Sequence, residues 1–405
     1  MNILFLSELF YPHGSGAELA TYLYADLLNK SGFNVRVITN RFACESDFSK
    51  NGNMLIYRLS LFKNSENVKY SILSRVDVLF SSFLNKMMKW ADVVYVPRFW
   101  FSAILMAKAR GKPVVTHLHD YIPICPLAGV YDFSNNVLCE GNKMICSPGC
   151  TYCREKIANR PIKEVLASVI LNSTFGSFFS RTVQLSDAIV CVSNSQKAII
   201  STNEAFSSNK LFVVHNPVPN FPDLPMKSDD FGYFGGIDKL KGFQTLREAM
   251  VTLNACSSKH INVHSTKIPQ VNKQCLNSLT KLGFSLYGKL EKRMYEEIYQ
   301  NIRTVIVPSI WPEPWPYVVV EALLRGRFVI ASRIGGIPEQ VDTCKGVTLF
   351  EAGNSEKLRE AMNNVLCLNR EAIADLGFQN RDSFLKRFSN ESSLKQFINI
   401  LENVD

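Results

Sequence analysis

Residues 308–321 read PSIWPEPWPYVVVE and hold two carboxylates, Glu313 and Glu321, with seven residues between them. Glu313 falls in a turn rich in proline and tryptophan, whereas Glu321 follows an apolar run and opens a stretch typical of a helix. One acid is therefore expected on a loop and the other near a helix start, on the same side of a fold. This layout suits a hydroxyl-rich ligand held at the mouth of an α/β domain.

Outward from this stretch, the chain alternates between short apolar runs typical of strands and patterns typical of helices. Strands are predicted at 3–6, 35–39, 93–96, 114–117, 188–192, 211–214, 231–234, 262–264, 284–287, 304–307 and 328–331. Helices are predicted at 18–30, 104–110, 243–252, 292–299 and 320–325, and residues 356–404 as all-helical. The alternation predicts two doubly wound, Rossmann-like α/β domains that face each other across a cleft.

A linker is predicted at 215–225, HNPVPNFPDLP, which contains four prolines. The predicted domains are therefore 1–215, with a cysteine-rich insertion at about 121–155, and 216–385. Residues 386–405 are predicted to form a helix that packs back toward the N-terminal domain. The length of 405 residues exceeds one ordinary hydrophobic core and agrees with two domains.

The formal net charge of +9 indicates anionic partners such as nucleotide phosphates or a membrane surface, or else an incidental excess of base. The basic residues are scattered and match no nucleic-acid motif, so nucleic acid is not expected as a partner. The first residues, MNILFLSELFYP, lack the features of a signal peptide, and no long apolar window predicts a membrane span. A cytoplasmic location with mostly reduced cysteines is expected.

Two glycine turns follow predicted strands. Gly14-Ser15-Gly16-Ala17-Glu18 follows the first strand and opens the first helix, where backbone amides and the helix dipole favour phosphate. Gly235-Gly236 stands in the equivalent place in the second domain, shortly before Lys241, which is suited to neutralise a diphosphate. The alternative is a plain tight turn before a helix for the first, and two solvated lysines, Lys239 and Lys241, on a turn for the second.

The order of these motifs resembles the retaining glycosyltransferases of family 4, which have the two-domain GT-B fold. The 14–18 turn resembles that family's N-terminal glycine loop, and His119-Asp120 resembles its His-Asp segment. The 235–242 turn resembles its phosphate loop, and Glu313 with Glu321 resembles its E-x7-E signature. The resemblance covers nearly the whole chain, and the last motif is the most specific.

The resemblance implies a role for each matching residue. Glu321 would bind the ribose hydroxyls of a sugar nucleotide, and Glu313 would contact the donor sugar near the reacting carbon. Lys241 would hold the diphosphate, with amides near Gly16 assisting. The implied catalytic residues are Glu313, His119 and Lys241. His119 and Asp120 would lie on the acceptor side. The implied nucleotide-sugar-binding residues are Gly14, Ser15, Gly16, Gly235, Gly236, Lys241, Pro316, Tyr317 and Glu321.

The implied activity is retaining transfer of a hexosyl-type sugar from a UDP- or GDP-sugar to a glycan acceptor, with the acceptor on domain 1–215 and the donor on domain 216–385. A lipid-linked acceptor and a product such as lipopolysaccharide or capsule are expected. No cofactor is required, and no catalytic metal is expected because the chain contains no Asp-x-Asp motif. The nucleotide base, sugar, acceptor, linkage and oligomeric state cannot be read from the sequence.

Two positions depart from the family's pattern. Gly236 stands where the family usually has an arginine, and Pro316 has no N–H to donate to a ligand. These departures leave open a non-catalytic subunit that binds a sugar nucleotide for a partner enzyme. A sugar-nucleotide epimerase of the same fold and a phosphorylase are further alternatives, although no cofactor-lysine site for a phosphorylase is found.

A cysteine cluster follows His119-Asp120. Cys150 and Cys153 have the spacing of zinc ligands, and a structural zinc site is predicted at Cys139, Cys146, Cys150 and Cys153. A local disulfide and free thiols, with Cys125 included in the cluster, are the alternatives.

Residues 69–90 and 154–181 are apolar with interspersed basic side chains, a pattern typical of interfacial helices. Helices that pack into the core of the first domain are the alternative. Together with the resemblance, the pattern predicts peripheral attachment to an anionic membrane surface, on the inner face of the cell membrane.

Overall fold

The computed structural model describes residues 1–62, 78, 80–139, 148–206, 208–256, 261–266 and 273–404. The chain forms two compact units, Met1–Pro217 together with Ser389–Asp405, and Val218–Phe388. The units are named here the first and the second unit.

The first unit has a mixed α/β architecture. Its strands are β1 (Asn2–Leu6), β2 (Asn34–Asn40), β3 (Phe48–Asn51), β4 (Met54–Leu59), β5 (Val93–Val96), β6 (Val114–Leu118), β7 (Tyr131–Asp132), β8 (Val137–Leu138), β9 (Ala188–Cys191) and β10 (Leu211–Val213). Its helices are α1 (Gly16–Lys30), α2 (Ser82–Trp90), α3 (Ser102–Lys108), α4 (Pro148–Ile157), α5 (Ile162–Gln184) and α6 (Asn194–Ser201), and a short 3-10 helix spans Ser208–Lys210.

The main sheet of the first unit has the strand order β10-β9-β6-β5-β1-β2-β4-β3. All neighbouring pairs are parallel except β3 and β4, which form an antiparallel hairpin at the edge. The central strands are buried on both faces, as continuous apolar runs require when helices cover a parallel sheet. After β1 the chain adds β2, β3 and β4 on one side of β1, and then β5, β6, β9 and β10 on the other side. The strand order therefore reverses between β1 and β5.

The C-terminal helix α14 (Asn390–Glu402) is part of the first unit. The Phe397 ring packs on Tyr24 at 4.5 Å and on Tyr95 at 5.2 Å between ring centroids. These rings belong to one buried cluster that also contains the apolar residues of β1 and β2. The end of the chain therefore completes the core of the unit with which the chain began.

The second unit repeats the architecture. Its strands are β11 (Asp230–Tyr233), β12 (Val263–Ser265), β13 (Phe284–Leu286), β14 (Ile302–Val307), β15 (Phe328–Ser332) and β16 (Val347–Phe350). Its helices are α7 (Phe243–Cys256), α8 (Lys273–Lys281), α9 (Lys292–Gln300), α10 (Tyr317–Leu324), α11 (Ile337–Val341), α12 (Ser355–Leu366) and α13 (Arg370–Arg387).

The sheet of the second unit is wholly parallel and has the order β13-β12-β11-β14-β15-β16. This is the strand order of a Rossmann fold, with its reversal between β11 and β14. Helices α7 and α12 contribute Leu246, Met250 and Met362 to the core beneath this sheet. The sequence prediction of two doubly wound, Rossmann-like units is confirmed.

Three local features differ from the sequence predictions. The hairpin β3–β4 turns at Gly52-Asn53, where Gly52 has a φ of 58°, and it was not predicted. Strand β16 was not predicted either. The apolar run before Glu321 is the first turn of α10, which begins directly after Pro316.

Within the residues described, no helix has the length and apolar character needed to span a bilayer. Of the predicted interfacial segment 69–90, residues 69–77 and 79 lie outside the described residues. Its described helix, α2, buries Leu84, Met87 and Met88, and the Trp90 ring lies under the Arg36 guanidinium at 3.8 Å. This part is a core-packing helix, which was the alternative.

Candidate active site

In the second unit, two loops meet at the point where the strand order reverses. The turn that holds Gly235, Gly236 and Lys241 follows β11, and the loop that holds Glu313 follows β14. Ligands of doubly wound sheets bind beyond the carboxyl ends of the strands at such a reversal. The sheet topology alone therefore brings together two groups that are 72 residues apart.

The Lys241 ammonium donates a hydrogen bond to Glu313 Oε1 at 2.6 Å. The Ser309 hydroxyl donates to the same oxygen at 2.7 Å. The Glu313 side chain is 6% exposed and that of Lys241 is 39% exposed, so the cation caps a buried carboxylate from the solvent side. The Lys241 ammonium also lies 5.0 Å from the centre of the Trp311 ring. A carboxylate held by two donors from different loops keeps a fixed position.

Glycines allow these loops to approach each other. Gly242 has a φ of 75°, and a methyl group there would collide with the carbonyl of Pro308. Gly335 has a φ of 58°, and a methyl group there would collide with the backbone of Glu313. The Gly336 N–H donates to the Glu313 carbonyl oxygen at 2.7 Å. The Gly-Gly pair that follows β15 therefore supports the backbone of Glu313.

Glu321 lies on α10, in a separate hydrogen-bonded group. Its Oε1 accepts from Arg325 Nε at 2.8 Å, and its Oε2 accepts from the Tyr295 hydroxyl at 2.9 Å. Arg325 is 3% exposed, and its guanidinium lies 4.9 Å from the centre of the Tyr299 ring. Burial, together with the charge of Glu321, raises the pKa of the Tyr295 hydroxyl well above its ordinary value, so Tyr295 remains a donor.

Pro316 and Tyr317 stand between the two glutamates. Pro316 caps α10, and its carbonyl oxygen accepts from Gln340 Nε2 at 3.4 Å. Tyr317 is the first residue of the helix and is partly exposed. The structure thus places both predicted glutamates in the second unit, each with its own cation, Lys241 for Glu313 and Arg325 for Glu321.

In the first unit, the glycine turn leads into the capped start of α1. Gly14 has a φ of 94° and is exposed, and the Ser15 N–H donates to Glu18 Oε2 at 2.6 Å. This bond is half of a capping box, in which the third residue of the helix reaches back to the cap. Glu18 is buried, so the turn is tied to the interior of the unit.

Arg98 follows β5 and lies between two buried glutamates. Its Nε is 3.1 Å from Glu18 Oε1 and 3.6 Å from Glu8 Oε1, and its charge also acts on Asp120. Glu8 follows β1, so this group occupies the reversal of strand order in the first unit. Burial raises the pKa of the Glu8 carboxyl to about 7, although the Arg98 charge opposes the shift. Glu8 Oε2 is buried and has no hydrogen-bond partner among the described residues.

His119 follows β6 at the same end of the sheet. Its ring stacks on His117 with 4.6 Å between centroids, and His117 Nδ1 lies 2.8 Å from the Tyr95 hydroxyl. Burial, with smaller contributions from His117 and Arg98, holds the pKa of His119 well below its ordinary value, so the ring is neutral. Its Nε2 is buried without a hydrogen-bond partner in the described part of the chain. Asp120 Oδ1 accepts from the Ile122 N–H at 2.9 Å and orders the following loop.

Several residues of these groups were missed by the sequence predictions. They are Glu8, Arg98, Tyr295, Ser309 and Arg325. A usable signal existed for Glu8, Arg98 and Ser309, because each lies two residues after a predicted buried strand. Arg325 also follows Glu321 by four residues, which places both on one face of a helix. Tyr295 carries no such signal, since only the three-dimensional fold brings it to Glu321.

The cysteine cluster is only partly described, because Cys146 lies outside the described residues. Cys139, Cys150 and Cys153 form no disulfide with one another in the described part of the chain. Cys150 Sγ accepts from the Phe133 N–H at 3.3 Å. Among the described residues, no group of three or more metal-binding side chains is suited to hold an ion. The zinc site that includes Cys146 stays a prediction.

Two family models match the chain. The model described as Glycosyltransferase Family 4 matches residues 14–220, which are 207 of the 405 residues, just over half of the chain. The model described as Glycosyl transferases group 1 matches residues 228–367. Together the two matches include every site residue described above except Glu8.

The relatives include an uncharacterised 42.6 kDa protein in the cps region of Klebsiella pneumoniae, 24% identical over 84% of this chain and 87% of that protein. Among solved structures, sucrose-phosphate synthase of Thermosynechococcus elongatus has a TM-score of 0.69 at 16% identity, covering 99% of this chain and 98% of that one. Anabaena HepE in complex with UDP and glucose has a TM-score of 0.62 at 16% identity, covering 99% of each chain. These structures confirm the GT-B fold. The chain is a member of Glycosyltransferase Family 4.

Proposed function

We propose that this GT-B glycosyltransferase is a retaining, metal-independent enzyme. It moves a hexosyl-type sugar from a nucleotide-diphosphate-sugar to a glycan acceptor. The observation that carries the proposal is the Lys241–Glu313 pair, with 2.6 Å between Nζ and Oε1 at the strand-order reversal of the second unit. A cation and a carboxylate from different loops suit the two halves of such a donor, its diphosphate and its sugar hydroxyls.

The donor roles follow from the contacts of each residue. Lys241 is partly exposed and provides a positive charge for the diphosphate as it leaves. Glu313 is fixed by Ser309 and accepts hydrogen bonds from the transferred sugar. Glu321 holds the ribose hydroxyls, since Tyr295 and Arg325 fix the position of its carboxylate on α10 and a carboxylate accepts hydrogen bonds from hydroxyls.

Transfer proceeds on one face of the sugar. The acceptor hydroxyl forms a bond to the anomeric carbon as the bond to the diphosphate oxygen breaks. The proton of that hydroxyl passes to the departing phosphate oxygen, so no protein nucleophile is needed. Lys241 provides the cationic contribution, since a positioned charge at a developing anion lowers the barrier strongly.

The acceptor role falls to the first unit. Glu8 Oε2 and His119 Nε2 are buried polar atoms without hydrogen-bond partners in the part of the chain that the structure describes. Such atoms cost free energy until something binds to them. The hydroxyls of an acceptor sugar can donate to Glu8 and to the neutral ring of His119. Arg98 is proposed to position Glu8 rather than to contact the acceptor.

The wider role proposed is the synthesis of a surface polysaccharide such as capsule or lipopolysaccharide, on a lipid-linked acceptor at the inner face of the cell membrane. The cps-region relative supports the polysaccharide, and the UDP bound by Anabaena HepE supports a UDP-sugar ahead of a GDP-sugar. The net charge of +9 suits an anionic membrane surface.

A screen of UDP-, GDP-, ADP- and TDP-sugars tests the proposal, with the wild type beside Glu321→Ala and a surface control, Glu297→Ala. We expect one nucleotide class to raise the melting temperature of the wild type and the control, and slow release of the nucleoside diphosphate. The Glu321→Ala variant is expected to lose the shift. Binding without release, with lipid acceptors present, would instead support the non-catalytic subunit that Gly236 and Pro316 left open.

A further inference from the structure

Helices α4 and α5 of the first unit present an apolar outer face. Ile162, Leu166 and Ile170 of α5 are 57%, 55% and 64% exposed. They recur at four-residue intervals and therefore form one stripe along the helix. Tyr152 and Ile157 of α4 are also exposed, and α4 packs against α5.

The inner face of the same helices mixes apolar and polar side chains, since Val165 of α5 and Cys150 of α4 are 1% and 3% exposed. Ser168 and Asn172 of α5 are 5% and 2% exposed, while Thr151 and Glu155 of α4 are buried as well. Farther along α5 the pattern is ordinary, since Phe179 is buried and its ring packs on Phe101 with 5.8 Å between centroids. Ordinary core packing therefore does not explain the stripe at the start of α5.

The segment that contains α4 and α5 has more basic than acidic side chains. Residues 148–184 contain five basic and two acidic side chains. Both acids are paired, since Glu155 contacts Arg154 at 2.6 Å and Glu164 contacts Arg160 at 3.2 Å. No carboxylate of the described residues pairs with Lys156 or Lys163, although the Lys156 ammonium lies 5.2 Å from the Tyr152 ring.

We propose that the outer face of α4 and α5 docks on the surface of an anionic phospholipid bilayer. The apolar stripe enters the boundary between headgroups and acyl chains, and the lysines and arginines contact lipid phosphates. A twofold contact between two copies of this chain would set the same basic cluster against itself, which charge repulsion opposes. The inference rests on the proposed function, because it gives the glycosyltransferase a membrane partner. Vesicle binding can nevertheless be measured without a sugar donor or an acceptor.

The experiment is co-sedimentation of the full chain with vesicles of phosphatidylcholine alone or mixed with phosphatidylglycerol, at low and at high salt. The test variant is Leu166→Glu/Ile170→Glu. The matched control is Val251→Glu/Phe378→Glu, which adds the same charges at exposed apolar positions of the second unit, 49% and 71% exposed. Melting temperature and circular dichroism establish that each variant is folded.

We expect the wild type to bind the anionic vesicles, to bind phosphatidylcholine weakly and to be released by salt. The test variant should lose at least about tenfold in partitioning, and the control about twofold or less. Lys156→Gln and Lys163→Gln should each cost about fivefold. Slow hydrolysis of a sugar nucleotide without vesicles should be the same in the test variant, the control and the wild type.

Three results would overturn the inference. One is equal wild-type binding to both kinds of vesicle at every salt concentration. Another is a test variant that binds as well as the control. The third is a self-associating wild type that becomes monomeric in the test variant and binds no vesicles, because the face would then be an interface between copies. Failure of sugar-nucleotide turnover in all proteins would refute the proposed function alone.

Discussion

The two strand-order reversals of this chain differ in how their carboxylates are satisfied. At the reversal of the second unit, Glu313 accepts bonds from both Lys241 and Ser309. At the reversal of the first unit, Glu8 is fully buried, its nearest cation is 3.6 Å away, and one of its oxygens has no hydrogen-bond partner among the described residues.

This difference indicates that the two units have different roles in the reaction. Groups held in place before the ligand arrives cost nothing to reorganise when charge develops, which suits the stabilisation of a leaving diphosphate. Buried groups without partners favour whatever brings the missing hydrogen bonds, which suits the selection of an acceptor. The second unit is therefore expected to govern turnover, and the first unit to govern acceptor recognition.

The largest effect is expected at Glu313. The Glu313→Gln variant keeps the shape of the side chain and removes its charge, so kcat for transfer should fall by roughly a thousandfold with little change in donor affinity. Steady-state kinetics and calorimetry of donor binding measure the two quantities. Glu297→Gln, at an exposed position of α9, is the control and should behave as the wild type. Full activity of Glu313→Gln would remove the distinction between the two reversals.

Arg325→Met should destabilise the protein by about 4 kcal/mol, because it leaves Glu321 buried without its cation. Urea unfolding followed by circular dichroism measures the loss. Glu321→Gln/Arg325→Met should recover part of it, since the double variant contains no uncompensated charge. A single variant as stable as the wild type would show that Glu321 does not need the charge of Arg325.

Glu8→Gln sharpens the comparison through pH. Because the folded-state pKa of Glu8 is raised from 4.5 to about 7, the wild type retains a proton that the unfolded chain loses, and its stability falls as pH rises between those values. The variant has no such proton, so its stability relative to wild type should increase by about 1.4 kcal/mol per pH unit across that window. Unfolding at a series of pH values measures this. If the stability of the two proteins changed with pH in the same way, the raised pKa of the Glu8 carboxyl would be contradicted.

Lys241→Met should give the smallest loss of kcat, about tenfold, because the lysine side chain is 39% exposed and water weakens the effect of its charge. Its stability should fall as well, because the variant leaves the buried Glu313 carboxylate without its cation, although Ser309 still donates to it. Lys239→Met on the same turn serves as the comparison and is expected to lose less than Lys241→Met. In a cycle with Glu313→Gln, the two losses should not add, because the residues are in direct contact.

The sequence predicts the sheets well and the hydrogen-bond partners poorly. Buried parallel strands such as β5 and β14 read as continuous apolar runs, so their positions follow from local composition. The short edge hairpin β3–β4 has an exposed strand, Phe48–Asn51, with no apolar pattern to mark it. The hairpin joins the sheet through the pairing of β4 with β2, and no local sequence pattern marks that pairing.

The same limit applies to the candidate site. Glu313, Glu321 and Lys241 were found because their motifs are contiguous in sequence. The ion pairs of Arg98 could not be predicted, because its two glutamate partners lie 80 and 90 positions before it and only the order of the strands brings them together. The charge state of Glu8 depends on complete burial, which is a property of the packed unit rather than of any short stretch.

The most direct measurement is a time course of nucleoside diphosphate release from the best donor of the screen, with and without a lipid-linked acceptor. Wild type, Glu313→Gln and Glu8→Gln are compared. The account predicts slow release by wild type that the acceptor accelerates, almost no release by Glu313→Gln, and unaccelerated wild-type release by Glu8→Gln. Release by Glu313→Gln at the wild-type rate, or acceleration of Glu8→Gln to the wild-type level, would contradict the division of roles between the two units.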